Sequence, residues 1–161
     1  MLKIDKIDVE IVNLLMEDGR MSASEMARRL PGVSERIIRY RMERLIAEGV
    51  IRVTAVVNPR ALGLMCNADV WLEVEADSIL SVAQQAAKLP NVCYVAFSMG
   101  ERDVSIQVVG RTAEEIYRFV TEVIAKLPGV RKTTTTLVPE VLLDVHQWRI
   151  PPDMVETAER G

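Results

Sequence analysis

Six arginines fall between residues 28 and 44, namely Arg28, Arg29, Arg36, Arg39, Arg41 and Arg44, and the chemistry they offer is anion recognition. A guanidinium is a planar fork of N–H donors that matches a phosphate or the O6/N7 edge of guanine. If residues 34–48 are helical, the apolar Ile38, Met42 and Leu45 share one side. Arg36, Arg39, Tyr40 and Glu43 then recur on the other at i, i+3, i+4 and i+7. A solvated helical face has the same composition, with Glu35, Glu43 and Glu48 available for ion pairs, so this helix alone decides nothing. A second group is Gly100-Glu101-Arg102-Asp103. Here glycine lets backbone approach a ligand, Asp103 offers a carboxylate to an ammonium, and Arg102 offers a guanidinium to a carboxylate. The same four residues also make an ordinary hairpin turn. In the run 133–136, alternation on a strand would place Thr134 and Thr136 on one face as candidate pocket hydroxyls.

The elements that would position these groups can be read in order. Ile7, Ile11, Leu14 and Leu15 recur at helical spacing over residues 5–18, and Asp18-Gly19 ends the pattern. Ser22-Ala-Ser-Glu25 has the form of a capping box, opening a helix that runs to about residue 30. Pro31-Gly32 breaks it, Ser34 caps the arginine-bearing helix, and Gly49 closes that helix. The β-branched run 50–57 reads as a wing strand, and 58–64 as a linker. Beyond it the pattern predicts strands at 68–74, 92–99, 104–110 and 130–138, with helices at 78–89 and 112–127. That βαββαβ order generates a ferredoxin-like sheet with helices on one face. Leu89-Pro-Asn-Val92 and Leu127-Pro-Gly-Val130 stand at matching places, the mark of a weak internal duplication. The expected fold is therefore α+β, with a winged helix-turn-helix at 1–57, a linker at 58–64, a ferredoxin-like domain at 65–145 and a tail at 146–161.

Composition narrows the function classes. Hydrophobic residues make up 49% and charged residues 27% of the 161, enough for packed cores. No apolar run is long enough to cross a membrane and the start lacks a signal-peptide stretch, so the expectation is a cytoplasmic protein without membrane partners. Cys66 and Cys93 share no CxxC spacing, and neither a metal site nor a cofactor is expected. The net charge of −3 argues against indiscriminate coating of nucleic acid, yet it divides unevenly. Residues 1–60 carry a net +2 and the remainder −5, so positive charge is local to the helical half.

Ile4-Asp5, Asp8, Ile11, Asp18-Gly19-Arg20, Met26-Ala27-Arg28-Arg29, the pattern from Ser34 through Ile37-Ile38-Arg39, Arg41-Met42 and Leu45, and Glu48-Gly49-Val50-Ile51 together resemble the N-terminal module of the Lrp/AsnC family, the feast/famine regulators. The linker from Asn58 to Gly63 and Gly100–Asp103 resemble that family's regulatory domain, so the likeness covers roughly residues 4 to 143. The resemblance implies a transcription regulator that is not an enzyme. Its partners would be double-stranded DNA at a pseudo-palindromic site, an amino acid or related small metabolite, and a second copy of itself in a homodimer that assembles further into rings. With the exposed arginine face it assigns DNA contact to Ser34, Glu35, Arg36, Arg39, Tyr40, Arg41 and Arg44, and it assigns effector contact to Gly100, Glu101, Arg102 and Asp103, to which the strand alternation adds Thr134 and Thr136 as pocket candidates. One departure is that Leu30-Pro31-Gly32-Val33-Ser34 is a residue longer than the family's usual turn, so site preference does not transfer from relatives.

Two other readings remain. A metabolite-binding module whose altered turn has cost it DNA binding predicts a ligand complex and no footprint. Siroheme decarboxylases also resemble this architecture, but the only histidine, His146, lies in the tail, and 91–95 lacks the histidine- and arginine-bearing pattern of those enzymes. Anaerobic incubation with siroheme tests that alternative.

Overall fold

The computed structural model describes residues 4–98 and 100–151. They form two compact units. Among the described residues, one comprises 4–56 together with 143–151, and the other lies within Val57–Leu142.

The first unit holds α1 (Lys6–Glu17), α2 (Ala23–Arg29) and α3 (Glu35–Ala47). Each begins at a side-chain cap. Asp5 accepts from the amides of Ile7 and Asp8, Ser22 from that of Glu25, and Ser34 from that of Ile37. Ile11 and Val12 of α1, Met26 of α2, and Ile38 and Leu45 of α3 meet in one buried cluster. The turn from Leu30 to Ser34 leaves the Ser34 cap intact. Pro31 and Gly32 occupy its centre, Gly32 takes φ 85°, and the Val33 amide donates to the Leu30 carbonyl at 3.1 Å. This is the arrangement in which proline then glycine suits a type II turn.

The expected wing differs. Residues 51–58 form no strand, because a strand exists only where a ladder partner meets it, and the folded chain brings none to this run. Val53, Val56 and Val57 are left exposed.

The second unit has the expected order. After a short 3₁₀ turn (Pro59–Leu62) come β1 (Cys66–Val74), α4 (Ile79–Ala86), β2 (Val92–Phe97), β3 (Val104–Gly110), α5 (Ala113–Glu122) and β4 (Val130–Val138). The sheet is antiparallel throughout with order β2-β3-β1-β4, so each βαβ crossover strides over one strand. Both helices are shorter than the pattern predicts. α4 stops at Ala86, and α5 passes into a 3₁₀ turn at Ile124–Lys126. Ala68, Val70, Leu72 and Val74 of β1 alternate with Val104, Ile106 and Val108 of β3 toward Val82, Ile116, Val120 and Ile124. The two Leu-Pro turns match in geometry as in sequence. Val92 donates to the Leu89 carbonyl at 3.2 Å and Val130 to the Leu127 carbonyl at 3.0 Å, and both leucines pack on the core.

Candidate nucleic-acid interface

The capping box of α1 does more than start a helix. Asp8 is fully buried, and its Oδ2 accepts from the Asp5 amide at 3.1 Å. Arg41 Nη1 donates to both Asp5 oxygens at 2.8 Å and to Asp8 Oδ1 at 2.9 Å, while Arg44 Nη2 donates to Asp8 Oδ2 at 2.6 Å. Two carboxylates on the first turn of α1 thus clamp two arginines one turn apart on α3. Burial opposes the charge on Asp5, but the Arg41 N–H and the amides of Asp8 and Ile7 outweigh it and hold the carboxyl below its ordinary range. The Arg41 guanidinium is held above its ordinary range on the same balance: burial works against its charge, and its hydrogen bonds to the Asp5 and Asp8 carboxylates prevail.

This clamp divides the arginine helix. Arg41 and Arg44, named with the DNA-contacting set from sequence, direct their guanidinium groups to α1, and Ser34 spends its hydroxyl on the Ile37 amide. The exposed side carries Arg36, Arg39 and Tyr40, the last 65% exposed. Arg39 pairs with Glu35 one turn earlier, and Arg36 has no ion pair among the described residues. Arg29 is drawn away to Glu17 at 2.8 Å, whereas Arg28 stays exposed beside this face in sequence. Asp5 and Asp8 were missed as functional partners. Two acids at N-cap and N3 of one helix answer two arginines spaced i, i+3 on another, a match between distant elements that no local pattern records.

In the second unit, the loop from Ser98 to Asp103 joins β2 to β3. The Ser98 amide and hydroxyl donate to the carbonyls of Asp103 and Arg102 at 2.9 and 2.8 Å. Asp103 also fastens the loop to β1, its amide donating to the Leu72 carbonyl and its Oδ2 accepting from the Val74 amide at 2.7 Å. Arg102 stacks over the Trp71 ring, 5.1 Å from its centroid, and Gly100 and Glu101 are exposed. Thr134 and Thr136 stand opposite Trp71 and Asp69 across the β1/β4 ladder, on the sheet face that the helices leave open. Gln107 donates to Asp69 Oδ1 at 3.1 Å, and Lys132 to Glu73 at 2.8 Å. The open face is therefore a polar seam around one tryptophan, which links Arg102 and Thr134 through Trp71. Asn67, Asp69, Trp71 and Glu73 recur at period two in β1, the pattern that could have exposed this seam in sequence.

An AsnC-type helix-turn-helix family model matches residues 4–46, and the model of a C-terminal dimeric alpha+beta barrel domain of AsnC-type regulators matches 62–148. The chain belongs to the Lrp/AsnC family. Among other members, it is 40% identical to an uncharacterized HTH-type transcriptional regulator of Pyrococcus abyssi, over 91% of this chain and 90% of the relative. It is 32% identical to the HTH-type transcriptional regulator FL11 of Pyrococcus furiosus, over 86% and 91% of the two chains. Two solved Lrp/AsnC structures share its fold. Escherichia coli AsnC superposes with a TM-score of 0.81 at 23% identity, over 89% of this chain and 97% of its own. A Neisseria meningitidis transcriptional regulator in complex with L-Met gives 0.80 at 22%, over 88% and 94%. This Lrp/AsnC chain is accordingly a transcriptional regulator with a DNA-binding helix-turn-helix, and none of its described helices is long and apolar enough to cross a membrane.

Proposed function

We propose that this Lrp/AsnC regulator reads a two-fold symmetric DNA site through Arg36, Arg39 and Tyr40, and that an amino acid or related metabolite bound near the Ser98–Asp103 loop changes its DNA affinity or assembly. The division of α3 carries the reading: Arg41 and Arg44 are locked onto Asp5 and Asp8, which fixes the helix and leaves the opposite face free for a major groove. In this reading Arg41 and Arg44 are positioning residues, Ser34 sets the helix start, and Glu35 aims Arg39. Arg28 supplies phosphate contact.

Dimerisation through the open sheet face accounts for Trp71, Asp69 and Gln107 lying where no helix covers them. A dimer places two recognition helices on half-sites about one helical turn, ~34 Å, or a multiple apart. The neisserial regulator's complex with L-Met supports an amino-acid effector here, with Arg102, Glu101 and Gly100 as the exposed part of the loop and Thr134 beside Trp71. Asp103 holds the loop in place with one oxygen, leaving the other for an ammonium.

The deciding experiment is capture of sheared source DNA by purified protein, with and without a pool of the proteinogenic amino acids. Discrete pseudo-palindromic fragments whose recovery shifts with the pool are expected. Folded protein that binds an amino acid and recovers nothing above background would instead establish the metabolite-binding module.

A further inference from the structure

The residues after β4 carry more large apolar side chains than a solvated tail needs: Val141, Leu142, Leu143, Val145, Trp148 and Ile150 fall within ten positions. From Leu143 on they cluster with the helical unit. Ile150 packs on that unit's buried cluster, as does Ile51. A groove of about 400 Å³ runs between the C-terminal half of α1, at Val12, Leu15 and Met16, and the 50–56 run, with Trp148 and Ile150 also lining it. The polar groups of the tail satisfy one another. Gln147 and His146 donate their amides to the Asp144 carbonyl and Oδ1 at 3.0 and 2.8 Å, and the Asp144 amide donates to Gln147 Oε1 at 3.2 Å. Such a self-closed turn can lie on an apolar surface at little desolvation cost.

We propose that residues 143–150 are a strap that walls one side of this groove, anchored at Ile150, and that it gives the helix-turn-helix unit a second attachment to the chain beside the 57–64 connection. The chain leaves the helical unit at Val56 and re-enters it at Leu143, so that unit is tied at both ends of the intervening domain. Of the unpaired 51–58 run only Ile51 is partly covered, and it shares the helical unit's cluster with Ile150. Its hold rests on Ile150, since Leu143, Val145 and Trp148 remain 64%, 76% and 47% exposed, and a contact of that kind opens locally before the unit unfolds.

Hydrogen exchange on the full chain, without DNA or effector, tests this apart from the DNA-binding reading. Deleting residues 143–161 is expected to speed amide exchange about tenfold or more in the second half of α1 and in 50–56, while β1 and β3 are unchanged. The full-length double variant Trp148→Ala/Ile150→Ala should move the same amides in the same direction, and a synthetic peptide of residues 143–151 should slow them again in the truncated protein. Unchanged exchange in α1 and 50–56 in both variants would overturn the strap, whatever the protein does with DNA.

Discussion

At the scale of single residues, the arginines of α3 are alike in composition and differ in partner: Arg41 and Arg44 engage Asp5 and Asp8, and Arg36 has no ion pair among the described residues. Arg36→Ala should weaken binding to the preferred site by about 1–3 kcal/mol and relax discrimination at one base position if the side chain reads guanine, with no change in melting temperature. Arg41→Ala should do the reverse: it leaves buried Asp8 short of a partner, so unfolding free energy falls by about 3 kcal/mol, and DNA affinity follows stability. Binding across a set of single-base site variants, paired with thermal melts, separates the two. The clamp also has a pH signature. Because Asp5 titrates below its unfolded value near 3.8, its charge stabilises the fold above that pH and the contribution disappears as pH falls through the lower folded value. Asp5→Asn keeps a capping oxygen but removes the charge. The gap in melting temperature between wild type and this variant should be widest near neutrality and close below about pH 4. A constant gap down to pH 2.5 would mean that the Arg41 pairing adds nothing beyond the cap.

At the scale of elements, local signals were legible and non-local ones were not. The caps at Ser22 and Ser34, the apolar spacing of α1 and α3, and the period-two alternation of β1 and β3 are properties of neighbours in sequence, and each element stands where its pattern puts it. The 50–57 run has strand composition too, yet pairing depends on a ladder that no local pattern records. The inward turn of Arg41 and Arg44 was hidden for the same reason, as their partners lie more than thirty residues away on α1. The duplicated Leu-Pro turn shows what a local signal can carry. In its second copy Gly129 adopts φ 95°, and an added Cβ would lie 2.5 Å from Ser78 Cβ. Gly129→Ala should therefore cost about 2–3 kcal/mol in denaturant unfolding, from left-handed backbone and collision together. Adding Ser78→Gly removes the collision and should restore part of that loss, while the backbone share persists.

At the scale of the whole molecule, the proposed effector control is a coupling between two sites, and coupling has a property that no single contact has. If the effector changes affinity for the DNA site by some factor, DNA must change affinity for the effector by the same factor, because both follow from one closed cycle of equilibria. Neither Arg36 nor Arg102 fixes that factor; it is set by how differently the effector binds the DNA-competent and DNA-incompetent arrangements of the assembled protein. Factors of about 5 to 150 are usual for such coupling. Once an amino acid is found that shifts DNA capture, calorimetric titration of that amino acid into free protein and into protein saturated with its DNA site should return two dissociation constants. Their ratio should equal the change in DNA dissociation constant measured with and without saturating amino acid. Unequal ratios at fixed protein concentration would mean that the amino acid changes the number of subunits assembled, so that an added association step must enter the cycle. Sedimentation velocity on the same samples distinguishes these outcomes: a single unchanged species accompanies equal ratios, and a shifted size distribution accompanies unequal ones.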